Sequence, residues 1–92
     1  MAVLVTSVVP GGNAEQDDAM VRALDLENNP PPGARVRMAG PSETGWRIAS
    51  LWDSQEAFET FRDQRLLPAL ERAGIPPPTF EVWPLERVRV LA

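Results

Sequence analysis

The sequence predicts an α+β fold with the element order strand, helix, strand, strand, helix, strand. Two observations support this prediction. The apolar pattern alternates between a period of two and a helical period, and the proline-rich segments NNPPPG and IPPP separate the predicted units. This order is that of the ferredoxin-like fold, in which a four-stranded antiparallel sheet is covered by two helices. At 92 residues, the chain is expected to form one domain, 1–92.

The first half of the chain predicts one strand, one helix and a hairpin. Residues 2–9 are apolar at both odd and even positions, which is typical of a strand buried on both faces. Asn13 with Gln16 three residues later resembles the start of a helix, and we expect this helix to continue to Asn28, where the prolines end it. Residues 34–40 and 46–52 alternate on either side of the turn-forming PSETG and predict an antiparallel hairpin.

The second half predicts a helix and a last strand. Asp53 with Glu56 resembles a capping box that opens a helix carrying Phe58, Phe61, Leu66 and Leu67. Pro68 is expected to kink this helix or to divide it in two. Residues 80–91 are expected to form a strand at the sheet edge, because Pro84 has no amide N–H for a ladder bond.

Composition and charge exclude several classes of protein. The net charge of −4 argues against a nucleic-acid partner, which requires clustered basic side chains. The chain has no Cys, His or Tyr and no cluster of metal ligands at a recognisable spacing, so we expect no metal site. The N-terminal apolar run is too short to cross a bilayer, and we expect a cytoplasmic protein without a membrane partner. Because two helices cover only one face of a four-stranded sheet, we expect a homodimer through the sheet face.

Four segments carry a resemblance to a known family. These are NPPPGARVRMAGPSETG, GWRIASLWDSQEAFETF, RLLPALERAG and EVWPLERV. Together they resemble the small dimeric α+β barrel proteins related to the antibiotic-biosynthesis monooxygenases. The resemblance covers nearly the whole chain and implies the dimeric barrel more firmly than a reaction, because many chemistries share this fold. Relatives also carry histidines where this chain has Arg37 and Glu86, and a haem role is disfavoured by the absence of an axial histidine.

The two tryptophans of GWRIASLWDS lie on one face of the predicted third strand, together with Ile48 and Ser50. Their separation along a strand is roughly 20 Å, so they cannot enclose one ring. We interpret Trp52 as a packing residue beside the second helix. Trp46 follows the turn and is either a core residue or the wall of a pocket that offers its N–H.

The hairpin register decides which face the arginines occupy. In an even register Arg35, Arg37 and Arg47 crowd one face, which requires a carboxylate among them. In an odd register Arg35 and Arg37 share the tryptophan face, where a guanidinium can stack on an indole and bind an anionic oxygen. We favour the odd register. Solvent-exposed or dimer-bridging arginines are the alternative.

From these residues we predict catalytic and binding roles. The catalytic candidates are Arg37 and Trp46, and the substrate-binding candidates are Arg35, Ser50, Trp52, Asn28 and Phe61. The alternatives are that Ser50 only makes room for a bulky neighbour and that Asn28 only ends a helix. Asp53 is interpreted as a helix cap.

The predicted function is that of a cofactor-independent small-molecule enzyme. The resemblance implies a monooxygenase-like reaction on an aromatic or polyketide-like intermediate of secondary metabolism. The substrate is expected to lie in an apolar pocket between sheet and helices. The alternatives are a cyclase or isomerase that uses the same pocket without oxygen, driven by positioning, and a non-catalytic small-molecule-binding dimer.

Overall fold

The computed structural model describes residues 1–92, which form the predicted α+β fold. The sheet is antiparallel with the strand order β2-β3-β1-β4, so the ferredoxin-like prediction is confirmed. No helix has the length and apolarity to cross a bilayer. The elements are β1 (Val3–Val9), α1 (Ala14–Ala23), β2 (Ala34–Ser42), β3 (Gly45–Trp52), α2 (Gln55–Phe61), α3 (Leu67–Ala73) and β4 (Phe80–Pro84).

The central strand β1 separates the two faces of the sheet. Its odd-numbered residues Val3, Val5 and Ser7 are buried on the face that the helices cover, which we call the helix face. Its even-numbered residues are only half-buried, and they lie on the opposite face, which we call the open face. The core therefore lies on the helix face alone, and its buried members are Val3, Val5, Leu24, Trp52, Phe58, Phe61 and Ala69.

The β2–β3 hairpin has the odd register over most of its length. Ser42 pairs with Gly45, so Glu43 and Thr44 alone form the turn, and the strands extend further toward it than predicted. Arg37 pairs with Ser50, which puts Arg37 on the helix face with the tryptophans, as we favoured. A bulge between Ala34 and Val36 shifts the register at the start of β2.

The first helix is shorter than predicted. It begins as expected, with the Asn13 side chain accepting a hydrogen bond from the Gln16 amide at 2.9 Å. It ends at Ala23 rather than at Asn28, because Asp25 adopts a left-handed conformation with φ of 52°. The amide of Asp25 donates to the Arg22 carbonyl, and the next amide donates to Val21, which together form a Schellman motif. A glycine or asparagine is usual at this position, and aspartate gave no signal.

The second helical region starts one residue later than predicted and is divided by a π-helical turn. Ser54, not Asp53, is the N-cap, and its hydroxyl accepts from the Ala57 amide at 3.1 Å. The capping role predicted for Asp53 is therefore wrong, since its carboxylate pairs with an arginine instead. Residues 62–66 form a π-helical turn between α2 and α3. Pro68 lies in the first turn of α3. The predicted division of the helix is therefore confirmed.

The last strand is half as long as predicted. β4 lies at the sheet edge, as expected, but it ends at Pro84 and residues 85–92 form no strand. The amide of Leu85 still donates to the Ala2 carbonyl at 2.9 Å, after which β1 offers no further partner because it begins at Val3. The alternating pattern of 85–91 therefore indicates strand propensity without a neighbouring strand to pair with.

Candidate functional site

A polar cluster lies on the helix face toward the β2 side of the sheet, where α1 meets the hairpin. β2 supplies Arg37, β3 supplies Trp46, and α1 supplies Asp17. The Arg37 guanidinium binds the carboxylate with both arms of its fork: Nη1 donates to Oδ2 at 3.0 Å and Nη2 donates to Oδ1 at 2.6 Å. This bidentate geometry is the strongest form of arginine–carboxylate pairing. We call these three residues the Arg37 cluster.

The Arg37 cluster is partly shielded from water. The side chain of Asp17 is 12% exposed and that of Arg37 is 30% exposed. Hydrogen bonding from Arg37 lowers the pKa of Asp17 despite the opposing effect of burial, with further lowering by the charge of Arg37 and by Trp46. Asp17 is therefore ionised at neutral pH and is a poor proton acceptor there.

Trp46 holds the one buried side-chain polar atom that lacks a hydrogen-bond partner. Its Nε1 is enclosed and makes no bond of acceptable distance and angle, although it lies close enough to Asp17 to lower the pKa of that carboxyl. Gly12 packs against the same residue, since a Cβ at Gly12 would lie 2.9 Å from the Trp46 Cβ. An unpaired buried donor costs about 1–3 kcal/mol, so this N–H marks a place where an acceptor is missing.

Two of the predicted binding residues lie outside the Arg37 cluster. Arg35 is the extra residue of the β2 bulge, so it does not share the tryptophan face as the odd register predicted. Its guanidinium binds Asp53 at 2.7 and 2.8 Å in an exposed pair. Asn28 is exposed after α1 and donates to the Asp25 carboxylate at 3.2 Å. Neither residue contacts Arg37 or Trp46 through a hydrogen bond.

Three further candidates belong to the hydrophobic core or support it. Trp52 is 3% exposed, and its ring centroid lies 5.4 Å from that of Phe61 and 5.6 Å from that of Phe58. The packing interpretation of Trp52 is confirmed. Ser50 accepts a hydrogen bond from the Trp52 indole at 2.9 Å, so its hydroxyl satisfies the buried Nε1. Trp52 and Phe61 thus pack against each other in the space between sheet and helices.

Two surface cavities lie elsewhere. One, of about 480 Å³, lies between the N-terminal residues and the segment after β4. The other, of about 450 Å³, lies beside the end of β1 and the proline segment before β4, with Arg47 and Glu81 on its wall. Neither touches the Arg37 cluster. No three metal-ligating side chains come together in the structure.

Sequence reasoning missed Asp17 and Arg65. Asp17 lies one helical turn before Met20 and Val21, so it is on the side of the first helix that faces the sheet, and this spacing is the signal that could have found it. Arg65 donates to the carbonyls of Leu24 and Asn29 at 2.6 and 2.9 Å, and its guanidinium lies 5.6 Å from the Phe61 ring centroid. It fixes the segment after α1 to the π-helical turn, and nothing in the sequence pattern indicated that contact.

Comparison with known proteins identifies the fold. No protein-family model and no curated protein matches the chain. Among solved structures, SnoaB from Streptomyces nogalater, a cofactor-independent oxygenase, is 14% identical with a TM-score of 0.62, over 95% of this chain and 93% of that one. A candidate antibiotic biosynthesis monooxygenase from Chloroflexus aurantiacus is 14% identical with a TM-score of 0.61, over 97% and 98%. This chain has the fold of the antibiotic-biosynthesis-monooxygenase-like proteins.

A third similar structure shows how different the ligands of this fold can be. MhuD, as an arginine-to-serine mutant with two manganese protoporphyrin IX molecules per active site, is 15% identical with a TM-score of 0.67, over the full length of both chains. At such identities the similarity to these antibiotic-biosynthesis-monooxygenase-like proteins extends to the fold and not to a reaction. The chemistry of this chain has to be argued from its own residues.

Proposed function

We propose that this chain is a cofactor-independent oxygenase that binds a flat aromatic or polyketide-like small molecule as its enolate or phenolate at the Arg37 cluster. The observation that carries the proposal is the buried N–H of Trp46, which lies close to Asp17, the partner of Arg37, but forms no well-aligned hydrogen bond. A single anionic oxygen that replaces Asp17 there accepts from the Trp46 N–H and pairs with the guanidinium. Such contacts are stronger where water is excluded.

The three residues of the Arg37 cluster have different roles in this proposal. Arg37 and Trp46 are donors, and they bind and orient the oxygen that carries the negative charge. Asp17 is held ionised with a lowered pKa, so it is a weak base. The substrate is therefore expected to enter as an anion, or to lose its proton without help from a strong protein base. This chemistry suits a chain that has no His and no Tyr.

The proposed reaction converts an activated CH₂ group to a carbonyl with molecular oxygen. One oxygen atom enters the product as C=O and the other leaves as water with the two hydrogens of the CH₂ group. The substrate carbon supplies all four electrons that reduce O₂, so the reaction balances without electrons from a metal or a flavin. The fold shared with SnoaB, a cofactor-independent oxygenase, supports the proposal by analogy.

The test supplies anthrone, a flat tricyclic ketone with a CH₂ group between two aromatic rings, under ¹⁸O₂. We expect oxygen uptake above the rate without protein and one ¹⁸O atom in the product. Arg37→Met and Trp46→Phe are each expected to lower the protein-dependent rate about 100-fold, because each removes a donor to the developing anion. Arg62→Met, which removes an arginine paired with Asp63, is the matched control. Protein-dependent uptake that is unchanged in both site variants would sink the proposal.

A second candidate is a small-molecule-binding dimer without catalysis. It is favoured by one observation: Trp52 and Phe61 close the space between sheet and helices where an apolar pocket was predicted. The same experiment distinguishes the candidates. Binding without oxygen uptake supports the non-catalytic dimer, and a product of unchanged mass without oxygen uptake supports the cyclase or isomerase.

The proposal includes a homodimer through the open face of the sheet. Val36, Met38 and Trp83 project from that face and are 48%, 55% and 52% exposed. Leu4 and Leu51 lie between them and are half-buried. A contiguous apolar surface of this kind is typical of an interface, and the matching face of a second copy covers it by two-fold symmetry.

A further inference from the structure

We infer that Asp17 occupies the position that the anionic group of the ligand takes when bound, and that α1 is a lid held closed by this carboxylate. The inference rests on the proposed function, because it concerns the same Arg37 cluster. It adds the chemical class of the ligand group, which has two neighbouring oxygens and one negative charge, and it adds the movement that admits the ligand.

The ligand class follows from the geometry of the fork. Two nitrogens of Arg37 donate to the two oxygens of Asp17. A planar group with two neighbouring oxygens therefore accepts from both of these donors at once. A carboxylate has that arrangement, and so does the U-shaped enolate of an open-chain 1,3-dicarbonyl compound. The N–H of Trp46 adds a third donor, which lies close to Asp17 without forming a well-aligned bond to it. A ligand that satisfies all three donors binds the cluster more completely than Asp17 does.

The helix that carries Asp17 is weakly held against the sheet. None of the residues of α1 is buried, and its apolar residues Met20 and Val21 are only half-buried. The Asp17–Arg37 pair is the one side-chain hydrogen-bonded link between α1 and the sheet. An element with so little buried surface opens at low cost once that link is exchanged.

The two ends of α1 are fixed to different degrees. After its C-terminal end, Leu24 is buried in the core and Arg65 binds the carbonyls of Leu24 and Asn29. Before its N-terminal end lie Gly11, with φ of 73°, and Gly12, which covers Trp46. We therefore place the hinge at the C-terminal end and the opening at the glycines, where Gly12 packs against Trp46.

The experiment uses 2-naphthoate, a flat aromatic carboxylate that is ionised at neutral pH, with its neutral methyl ester as the matched ligand control. The readout is the ¹H–¹⁵N spectrum of the three indole N–H groups. Trp52 and Trp83 already donate to Ser50 and Glu81, so the Trp46 signal is expected to shift most. Trp46→Phe assigns that signal by its loss.

Affinities in three variants separate the inference from the proposed function. Asp17→Asn removes the competing charge and is expected to bind 2-naphthoate about fivefold or more tightly than the wild type, because a larger fraction of the molecules then has the binding site open. Arg37→Gln is expected to lose binding. Asp63→Asn, which removes a carboxylate from the Arg62 pair, is expected to bind as the wild type does.

Each outcome has one meaning. Loss of binding in Arg37→Gln without any gain in Asp17→Asn overturns the lid and leaves the proposed site standing. Unchanged binding in Arg37→Gln, or no preference for 2-naphthoate over its methyl ester in any variant, overturns both. Hydrogen exchange of the wild type requires no variant: the amides of residues 18–23 are expected to exchange faster with 2-naphthoate than with the ester. Exchange in α1 that is the same with both compounds overturns the lid.

Discussion

Replacing Trp52 by Ala is expected to lower the free energy of unfolding by about 3–5 kcal/mol, the range for large aromatic side chains removed from a core. Trp52 is 3% exposed and contacts both Phe58 and Phe61, so its removal leaves a cavity that these rings cannot fill. It also leaves the Ser50 hydroxyl without its indole donor. Since small domains are stable by only about 5–15 kcal/mol, this variant is expected to be close to unfolding at room temperature. Urea denaturation followed by circular dichroism measures the loss.

The control for this prediction is Leu91→Ala, a large-to-small change at a side chain that is 92% exposed. It is expected to change the free energy of unfolding by less than about 0.5 kcal/mol. A loss below about 1 kcal/mol for Trp52→Ala would mean that Trp52 does not anchor the core.

Replacing Met38 by Glu is expected to convert the proposed homodimer into a monomer. Met38 is 55% exposed on the open face, halfway along the edge strand β2, beside Val36 and opposite Ala49 on β3. In a two-fold symmetric interface the new carboxylate enters twice, and each copy loses its hydration without gaining a partner. Light scattering after size-exclusion chromatography measures the mass of the particle.

The control is Gln64→Glu, which adds the same charge at an exposed position in the helical layer. It is expected to remain dimeric. A wild type that is monomeric at micromolar concentration would contradict the assignment of the open face, and so would a Met38→Glu variant of unchanged mass.

The elements of this fold could be predicted from the sequence because their signals are local. The two-residue period of β3 put Trp46 and Trp52 on one face, and the odd register correctly put Arg37 on that face. The boundaries depended on local exceptions. Asp25 ends α1 in a conformation that glycine usually adopts, and Ser54 is the cap that Asp53 was expected to be.

The site was harder to predict because its contacts join distant segments. The bulge at the start of β2 moved Arg35 away from the tryptophan face, and no sequence pattern signals a bulge without glycine. The pairing of Asp17 with Arg37 depends on how α1 lies across the sheet, which periodicity does not determine. Trp46 and Arg37 could be placed on one face from the alternation of side chains along the strands. The position of the Asp17 carboxylate could be found only in the packed structure.

The central claim is that the Arg37 cluster binds a flat anionic molecule. The most direct test measures the thermal unfolding of the wild type and of Arg37→Met, each with an anionic compound and with its matched neutral compound. A ligand at a hundredfold excess over its Kd stabilises the native state by about 2.7 kcal/mol, which raises the Tm by roughly 10 °C or more in a domain of this size. We expect that rise for anionic enolates and carboxylates in the wild type and no rise in Arg37→Met. An equal rise in both proteins would contradict the account.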